Sequence, residues 1–260
     1  MPSHAERAAE LRRLQDAPRV LVLANVWDVA SAKAVAAVQG VTALATASHS
    51  IAAAHGYPDG EQIPLDLHIA AIARITASVD LPVSADLEAG YGNPGETTRR
   101  AITAGAVGGN MEDALAPLAA SVAAVKAVVA AREAEGTGFV LNARTDAFLK
   151  APADAPAAHK LEDAITRGRA YLDAGAECVF VPGVRDADTI AQLVDALGAR
   201  RVSVLAGPGA PSIAELERLG VARASIGPFG LRVALTALQD ATATLLAGGS
   251  LPARIRADTA

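Results

Sequence analysis

Short, unbroken apolar runs alternate along this chain with longer alanine-rich stretches that carry charge on one side. Eight of the runs read as strands: Val20–Ala24, Ala43–Thr46, Pro82–Asp86, Gly108–Glu112, Phe139–Ala143, Cys178–Val181, Val202–Ala206 and Ala224–Ile226. Continuous apolar character, without polar alternation, fits parallel strands covered on both faces. Between them, Ser31–Val38, Leu65–Ser78, Glu96–Ala104, Ala119–Glu135, Lys160–Ala174, Asp188–Leu197 and Ile213–Leu219 read as helices, several stopping at a glycine. A last helix is expected over about Leu231–Leu246, closing the unit or packing on a neighbour. Residues 151–158, Ala-Pro-Ala-Asp-Ala-Pro-Ala-Ala, are the one low-complexity insertion and are expected to form a mobile loop after the fifth strand.

Eight strand–helix repeats favour a closed (β/α)8 TIM barrel over an open sheet, as a single α/β domain across residues 1–260. No Gly-x-Gly-x-x-Gly follows the first strand, which weakens a dinucleotide-binding reading.

Composition narrows the function. Hydrophobic residues at 52% and charged residues at 20% supply a large core and exclude disorder. A net charge of −5 argues against nucleic acid, which calls for a basic face, and 3% aromatics leave few stacking platforms. One cysteine, Cys178, rules out an internal disulfide and a multi-cysteine zinc site. The polar N-terminus has no apolar signal region and no apolar run is long enough to span a bilayer, so a soluble cytoplasmic protein is expected.

In a β/α barrel the reactive groups stand where strands end and βα loops begin. Those positions here hold Asn25-Val-Trp27-Asp28, Ser48-His49-Ser50, Asp86 with Glu88, Glu112 with Asp113, and Asn142-Ala-Arg144-Thr-Asp146. The ends of strands six to eight offer mostly backbone and little charge. Asp86 and Glu88 are two apart, so on a strand they point the same way into the glycine-rich turn Gly90-Tyr-Gly92. With Glu112 they suggest an octahedral Mg²⁺ or Mn²⁺, held by one or two carboxylates and water. The alternative, helix-capping and surface acids, is preferred for Asp113. Arg144 is suited to a substrate carboxylate or a developing oxyanion, against an ion pair with Glu112 or Asp146. Ser48, His49 and Ser50 offer hydroxyls and amides at a strand-to-loop turn, and Gly56-Tyr57-Pro-Asp59-Gly60 is either a plain turn or a gating loop. Cys178, within an apolar strand, reads as inert core.

These segments together resemble the isocitrate lyase and phosphoenolpyruvate mutase superfamily. The matching pieces are Asn25-Val-Trp-Asp-Val-Ala-Ser-Ala32, Ser48 with Gly56-Tyr-Pro-Asp-Gly60, Ala85-Asp-Leu-Glu-Ala-Gly-Tyr-Gly92, Asn110-Met-Glu-Asp113 and Asn142-Ala-Arg-Thr-Asp-Ala147, in family order. The resemblance implies a barrel whose last helix is exchanged between subunits of a homodimer or homotetramer. It also implies Mg²⁺-assisted cleavage or formation of a C–C or C–P bond beside a 2-oxo acid, through a pyruvate-type enolate. By the same resemblance Asp86 is the direct metal ligand, Glu88 and Glu112 act through water, and Asp59 is the gating-loop acid. Trp27, Ser48 and His49 fall where substrate carboxylate contacts are made and Arg144 matches the substrate-binding arginine, while Ser50 joins the substrate-binding candidates from its place at the strand end. Two features depart from the family. Glu112-Asp-Ala-Leu-Ala-Pro117 leaves no room for the lid whose cysteine donates a proton in the lyases, and the sixth strand ends in Val181-Pro-Gly183 where lyases tend to carry a glutamate. A lyase or decarboxylase of C–C bonds is the leading expectation, with a phosphonomutase and a non-catalytic 2-oxo-acid-binding barrel as alternatives.

Overall fold

The computed structural model describes residues 2–252. Eight parallel strands close into a barrel in chain order: β1 (Leu21–Val26), β2 (Leu44–Thr46), β3 (Val83–Asp86), β4 (Gly108–Glu112), β5 (Val140–Arg144), β6 (Cys178–Phe180), β7 (Val202–Leu205) and β8 (Arg223–Ser225). The helices are α1 (His4–Asp16), α2 (Val29–Ala36), α3 (Ser48–Ala54), α4 (Leu65–Ala77), α5 (Pro94–Thr103), α6 (Leu118–Glu135), α7 (Ala157–Asp173), α8 (Ala187–Leu197), α9 (Ile213–Arg218) and α10 (Phe229–Leu246). All eight expected strands are present, and the expected (β/α)8 barrel is the fold.

The main apolar layer lies between barrel and helices. One part packs Leu44, Ile51, Ile72, Ile75 and Val128 around the first five strands; another gathers Val179, Val181, Ile190, Leu193 and Leu216 around the last three. The outward strand residues are small and β-branched, which suits a surface buried under helices.

Register fixes what faces inward. Paired residues on neighbouring parallel strands share a face, so Asp86, Asn110 and Asn142 form one set and Glu112, Arg144 and Phe180 another, two residues nearer the mouth on β4 and β5. Arg223 lies opposite Leu21 and Ser203.

Beneath these polar sets the barrel has an apolar floor, and α1 supplies part of it. Leu11 is fully buried against Leu21, Leu23, Val107 and Val140. Gly108 makes the insertion sterically feasible: a Cβ there would stand 2.7 Å from Leu11 Cδ2 and 2.8 Å from the Val140 carbonyl oxygen. A capping box starts the helix, with the Glu6 amide donating to Ser3 Oγ at 3.2 Å and the Ser3 amide donating to Glu6 Oε2 at 2.7 Å. Arg12 ties α1 to Glu177 at 2.8 Å, and Arg132 holds the same carboxylate at 2.6 Å.

Helix α10 is different: none of its residues is buried, and Val233, Leu238 and Leu246 are 69, 64 and 85% exposed. On the outer face of the neighbouring β1, Val22 is also left open, at 44%. No helix among the described residues is long and apolar enough to cross a membrane.

Candidate active site

The polar groups gather at the strand ends, as expected for this architecture. Asp86 closes β3, and β2 grips it from the side. The Asp86 amide donates to Thr46 Oγ1 at 2.9 Å, while the Ser48 amide and hydroxyl both donate to Asp86 Oδ2, at 3.1 and 2.9 Å. Ser48 is the first residue of α3, whose N-cap Ala47 offers no side-chain oxygen. The free amides of that helix start are therefore available to a carboxylate. Here the structure corrects the sequence-based reading: Ser48-His49-Ser50 is the first turn of a helix, and Ser48 is committed to Asp86. Ser50 is 1% exposed, with no hydrogen-bond partner for its hydroxyl among the described residues, and His49 is half-buried. Trp27, half-buried, packs at the edge of the larger apolar cluster.

Glu88 sits two residues beyond Asp86 but no longer on a strand. Its φ of 52° is left-handed, so simple alternation does not set its direction. The turn continues to Gly90, where a Cβ would lie 2.8 Å from Pro94 Cα. Glu88 is buried, and its carboxylate accepts from the Glu61 amide and, at 3.1 Å, from the Tyr91 hydroxyl. Glu61 returns the contact by accepting from the Tyr91 amide at 2.6 Å. Burial, helped by the negative charges of Asp86 and Asp59, pushes Glu88 up to about 7, although the Glu61 amide and Tyr91 hydroxyl pull the other way. Below it, buried His68 has its pKa lowered by desolvation, and its Nε2 stands 3.0 Å from the Asp86 carbonyl oxygen. The Tyr91 hydroxyl is 3.1 Å from His68 Nδ1. Asp59 itself is exposed in the segment linking α3 and α4.

Two strands further round, at the end of β5, Arg144 is not a free cation. Its Nη1 meets Glu112 at 2.7 Å and its Nε meets Asp146 at 2.7 Å, so both ion pairs weighed as the alternative to substrate binding are present. Lys150 adds contacts to Glu112 at 3.3 Å and Asp146 at 3.1 Å. Burial works to raise the Glu112 carboxyl, opposed by Arg144 and supported by Asp146 and Asp86, and the net shift is upward. Nη2 of Arg144 has no partner among the described residues, which leaves two N–H donors for an incoming anion.

Asp113 is a structural hub and not the surface acid expected from sequence. It is buried, accepting at Oδ1 from the Leu115 amide (2.9 Å) and the Asp146 amide (3.0 Å). At Oδ2 it accepts from Tyr171 (2.6 Å) and Arg167 (3.2 Å). Burial alone would raise its pKa, but hydrogen bonds from Tyr171 and the two amides outweigh that and hold it below the ordinary carboxylate value.

The state of each carboxylate oxygen decides how a divalent ion would fit. Among the described residues no three His, Cys, Asp or Glu side chains are gathered as a metal cage, so Asp86, Glu88 and Glu112 do not converge as a direct three-ligand set. The reason is competition: Glu112 turns to Arg144 and Lys150, and Glu88 to Glu61 and Tyr91. Asp86 keeps Oδ1 free of hydrogen bonds among the described residues, and its charge reaches both Glu88 and Glu112. One direct carboxylate with two more behind water suits magnesium, which keeps most of its hydration shell.

A parallel barrel with carboxylates and an arginine ringed at its strand ends defines an α/β-barrel enzyme class, and the chain belongs to the phosphoenolpyruvate phosphomutase family, whose model matches residues 11–246. A solved phosphonomutase-like structure from Burkholderia cenocepacia J2315 is 39% identical, covering 95% of this chain and 100% of that one, with a TM-score of 0.86. An uncharacterized protein of Mycobacterium tuberculosis is 34% identical over 233 residues, 89% of this chain and 86% of its own length. The oxaloacetate decarboxylase of Pseudomonas savastanoi pv. phaseolicola is 30% identical over 230 residues, 84% of this chain and 78% of that enzyme.

Sequence reasoning missed Glu61, His68, Lys150 and Arg223 as members or neighbours of this site. Lys150 had a usable signal, since it stands four residues after Asp146 in the motif that supplies Arg144.

Proposed function

We propose that this protein is a Mg²⁺- or Mn²⁺-dependent enzyme that breaks a C–C bond beside a small 2-oxo acid through a pyruvate-type enolate, most simply by decarboxylation. The observation that carries the reading is a free carboxylate oxygen on Asp86 at the end of β3 and, two strands on at the end of β5, an unpartnered Nη2 on Arg144 among the described residues. Asp86 would hold the ion directly, with Glu88 and Glu112 behind water. Bound there, the ion supplies Lewis-acid polarisation of the 2-oxo group.

The chain's own residues do the rest. Ser48 fixes Asp86 in one rotamer by two hydrogen bonds. Glu112 and Asp146 clamp the Arg144 guanidinium from two sides, so its remaining donors meet a substrate carboxylate without losing much side-chain freedom. Both arrangements are preorganised for negative charge developing on the enolate oxygen. Decarboxylation is favoured over a Claisen-type cleavage because the lid cysteine that the resemblance implies for lyases has no counterpart here. Five residues, Asp113–Pro117, join β4 to α6 with no cysteine among them. Cys178 is fully buried, and burial pushes its thiol up to about 12. A decarboxylated enolate can take its proton from water.

Oxaloacetate with Mg²⁺ and pyruvate detection is the direct test. Turnover is expected with metal, with a loss of about 100-fold or more in Asp86→Asn, the scale of removing one preorganised electrostatic partner. Undiminished turnover in excess chelator, or in Asp86→Asn, refutes the reading. The C–P alternative is supported by the similarity to the Burkholderia structure, and phosphorus NMR on phosphonopyruvate separates the two.

We further infer self-association into a homodimer or homotetramer through α10. Its wholly unburied apolar positions and the bare outer face of β1 at Val22 support one copy laying its last helix on the next.

A further inference from the structure

Arg223 lies inside the barrel and is completely buried. From β8 it crosses the interior to the far wall, where Nη1 donates to Ser84 Oγ on β3 at 3.0 Å and Nη2 to Asn110 Oδ1 on β4 at 3.3 Å. Among the described residues no carboxylate pairs with it and its Nε has no partner. Desolvation pulls its pKa down to about 10, with Cys178 and Asp86 acting the other way, so it stays charged near neutrality. An unpaired buried cation is among the most expensive groups a fold can carry. It makes two hydrogen bonds to neutral side chains, with its Nε left over, so hydrogen bonding alone does not offset the burial of a charge. The charge itself needs a reason.

Its location supplies one. Ser84, which Arg223 touches, is two residues below Asp86 on the same strand, and Asn110, its other partner, is in register with Asp86, so the guanidinium sits just beneath the acid ring. The apolar floor formed by Leu11, Leu21, Leu23 and Val140 closes the barrel on the other side. A charge so enclosed is poorly screened, and Asp86 is the carboxylate that feels it.

We infer that Arg223 is a buried counter-charge for the mouth, an electrostatic positioning residue that favours a dianionic ligand and opposes over-tight cation binding. It touches neither substrate nor acid and works through its field. The inference rests on the metal and 2-oxo-acid reading above, and gives that site a way to balance two opposing demands. Carboxylates are needed to hold the ion, and the same carboxylates repel the negatively charged substrate. A fixed positive charge behind them offsets the repulsion without occupying the mouth.

The test compares Arg223→Gln with the charge-keeping Arg223→Lys by calorimetry, using Mg²⁺ alone and then oxalate at saturating Mg²⁺. Removing one positive charge at this depth should weaken oxalate binding about tenfold and tighten Mg²⁺ binding by a similar factor, with Arg223→Lys close to wild type in both. Opposite signs are diagnostic, because a damaged barrel would weaken both ligands together. Equal weakening of both, or no change in either, overturns the inference. So does an Arg223→Gln that fails to fold beside a folded Arg223→Lys, since the charge would then serve the barrel and not the mouth. A wild-type protein that binds neither Mg²⁺ nor oxalate would instead refute the underlying functional reading.

Discussion

Removing the Asp113 carboxylate should be among the more damaging single changes in this protein, through stability first and the mouth second. Four donors converge on it: two amides, the Tyr171 hydroxyl and Arg167. Asp113→Ala strands all four in a buried space, where breaking one side of an ion pair costs about 3–5 kcal/mol. Arg167 keeps Asp163 at 2.9 Å and the Ala116 carbonyl at 2.9 Å, which places the effect near the lower end, about 3 kcal/mol. At this chain length that is a fall in melting temperature of about 6–12 °C. Asp113→Asn retains an acceptor for the amides but sets an NH2 group against donors, and should cost about 2 kcal/mol. The pH dependence follows in sign. Hydrogen bonds hold the folded-state pKa of Asp113 below its unfolded value, so its contribution is complete above the unfolded pKa, about 4, and is lost as pH falls through the folded value. Thermal melts of wild type and Asp113→Asn should therefore differ fully at pH 6–7 and converge in acid. The Asp146 amide hangs on Asp113 and the Asp146 carboxylate holds Arg144, so substrate affinity should also fall in Asp113→Asn. A melting temperature for Asp113→Asn within about 2 °C of wild type at pH 7 would refute this account, as would a gap that persists unchanged to pH 3.

Two further outcomes are expected. Gly108→Ala forces a methyl group against Leu11 and the Val140 carbonyl, and should lower stability by about 1–3 kcal/mol in urea unfolding, whereas a shift below about 0.5 kcal/mol would deny the close insertion of α1. Leu238→Glu, on the unburied face of α10, should reduce the assembled species to monomers in light scattering without unfolding the barrel; an unchanged mass would remove α10 from the interface.

The barrel was legible in the sequence because buried parallel strands leave apolar runs that little else imitates. Gly108–Glu112 was placed to the residue, and the others to within one or two. Helix α1 was not recognised, since its polar residues mask a single inserted leucine, although the Ser3–Glu6 spacing of its capping box stood in the sequence. Helix α3 was mistaken for a turn because Ser-His-Ser is turn-like chemistry and no capping side chain announces it. At the site, position was readable and partnership was not. Asp86, Glu112 and Arg144 end their strands as expected, but whether two such groups face a ligand or one another depends on side-chain reach. The Glu61–Glu88–Tyr91 contacts depend on three residues with left-handed backbone, at φ of 60°, 52° and 49°, which no pattern of polarity forecasts. Arg223 escaped because the eighth strand was begun one residue late, at Ala224.

The leucine stopper under the staves means that traffic has a single doorway. Whatever enters must leave past the same ring of acids and bases, so under the proposed decarboxylation a carboxylate product would compete with the next substrate for the threshold.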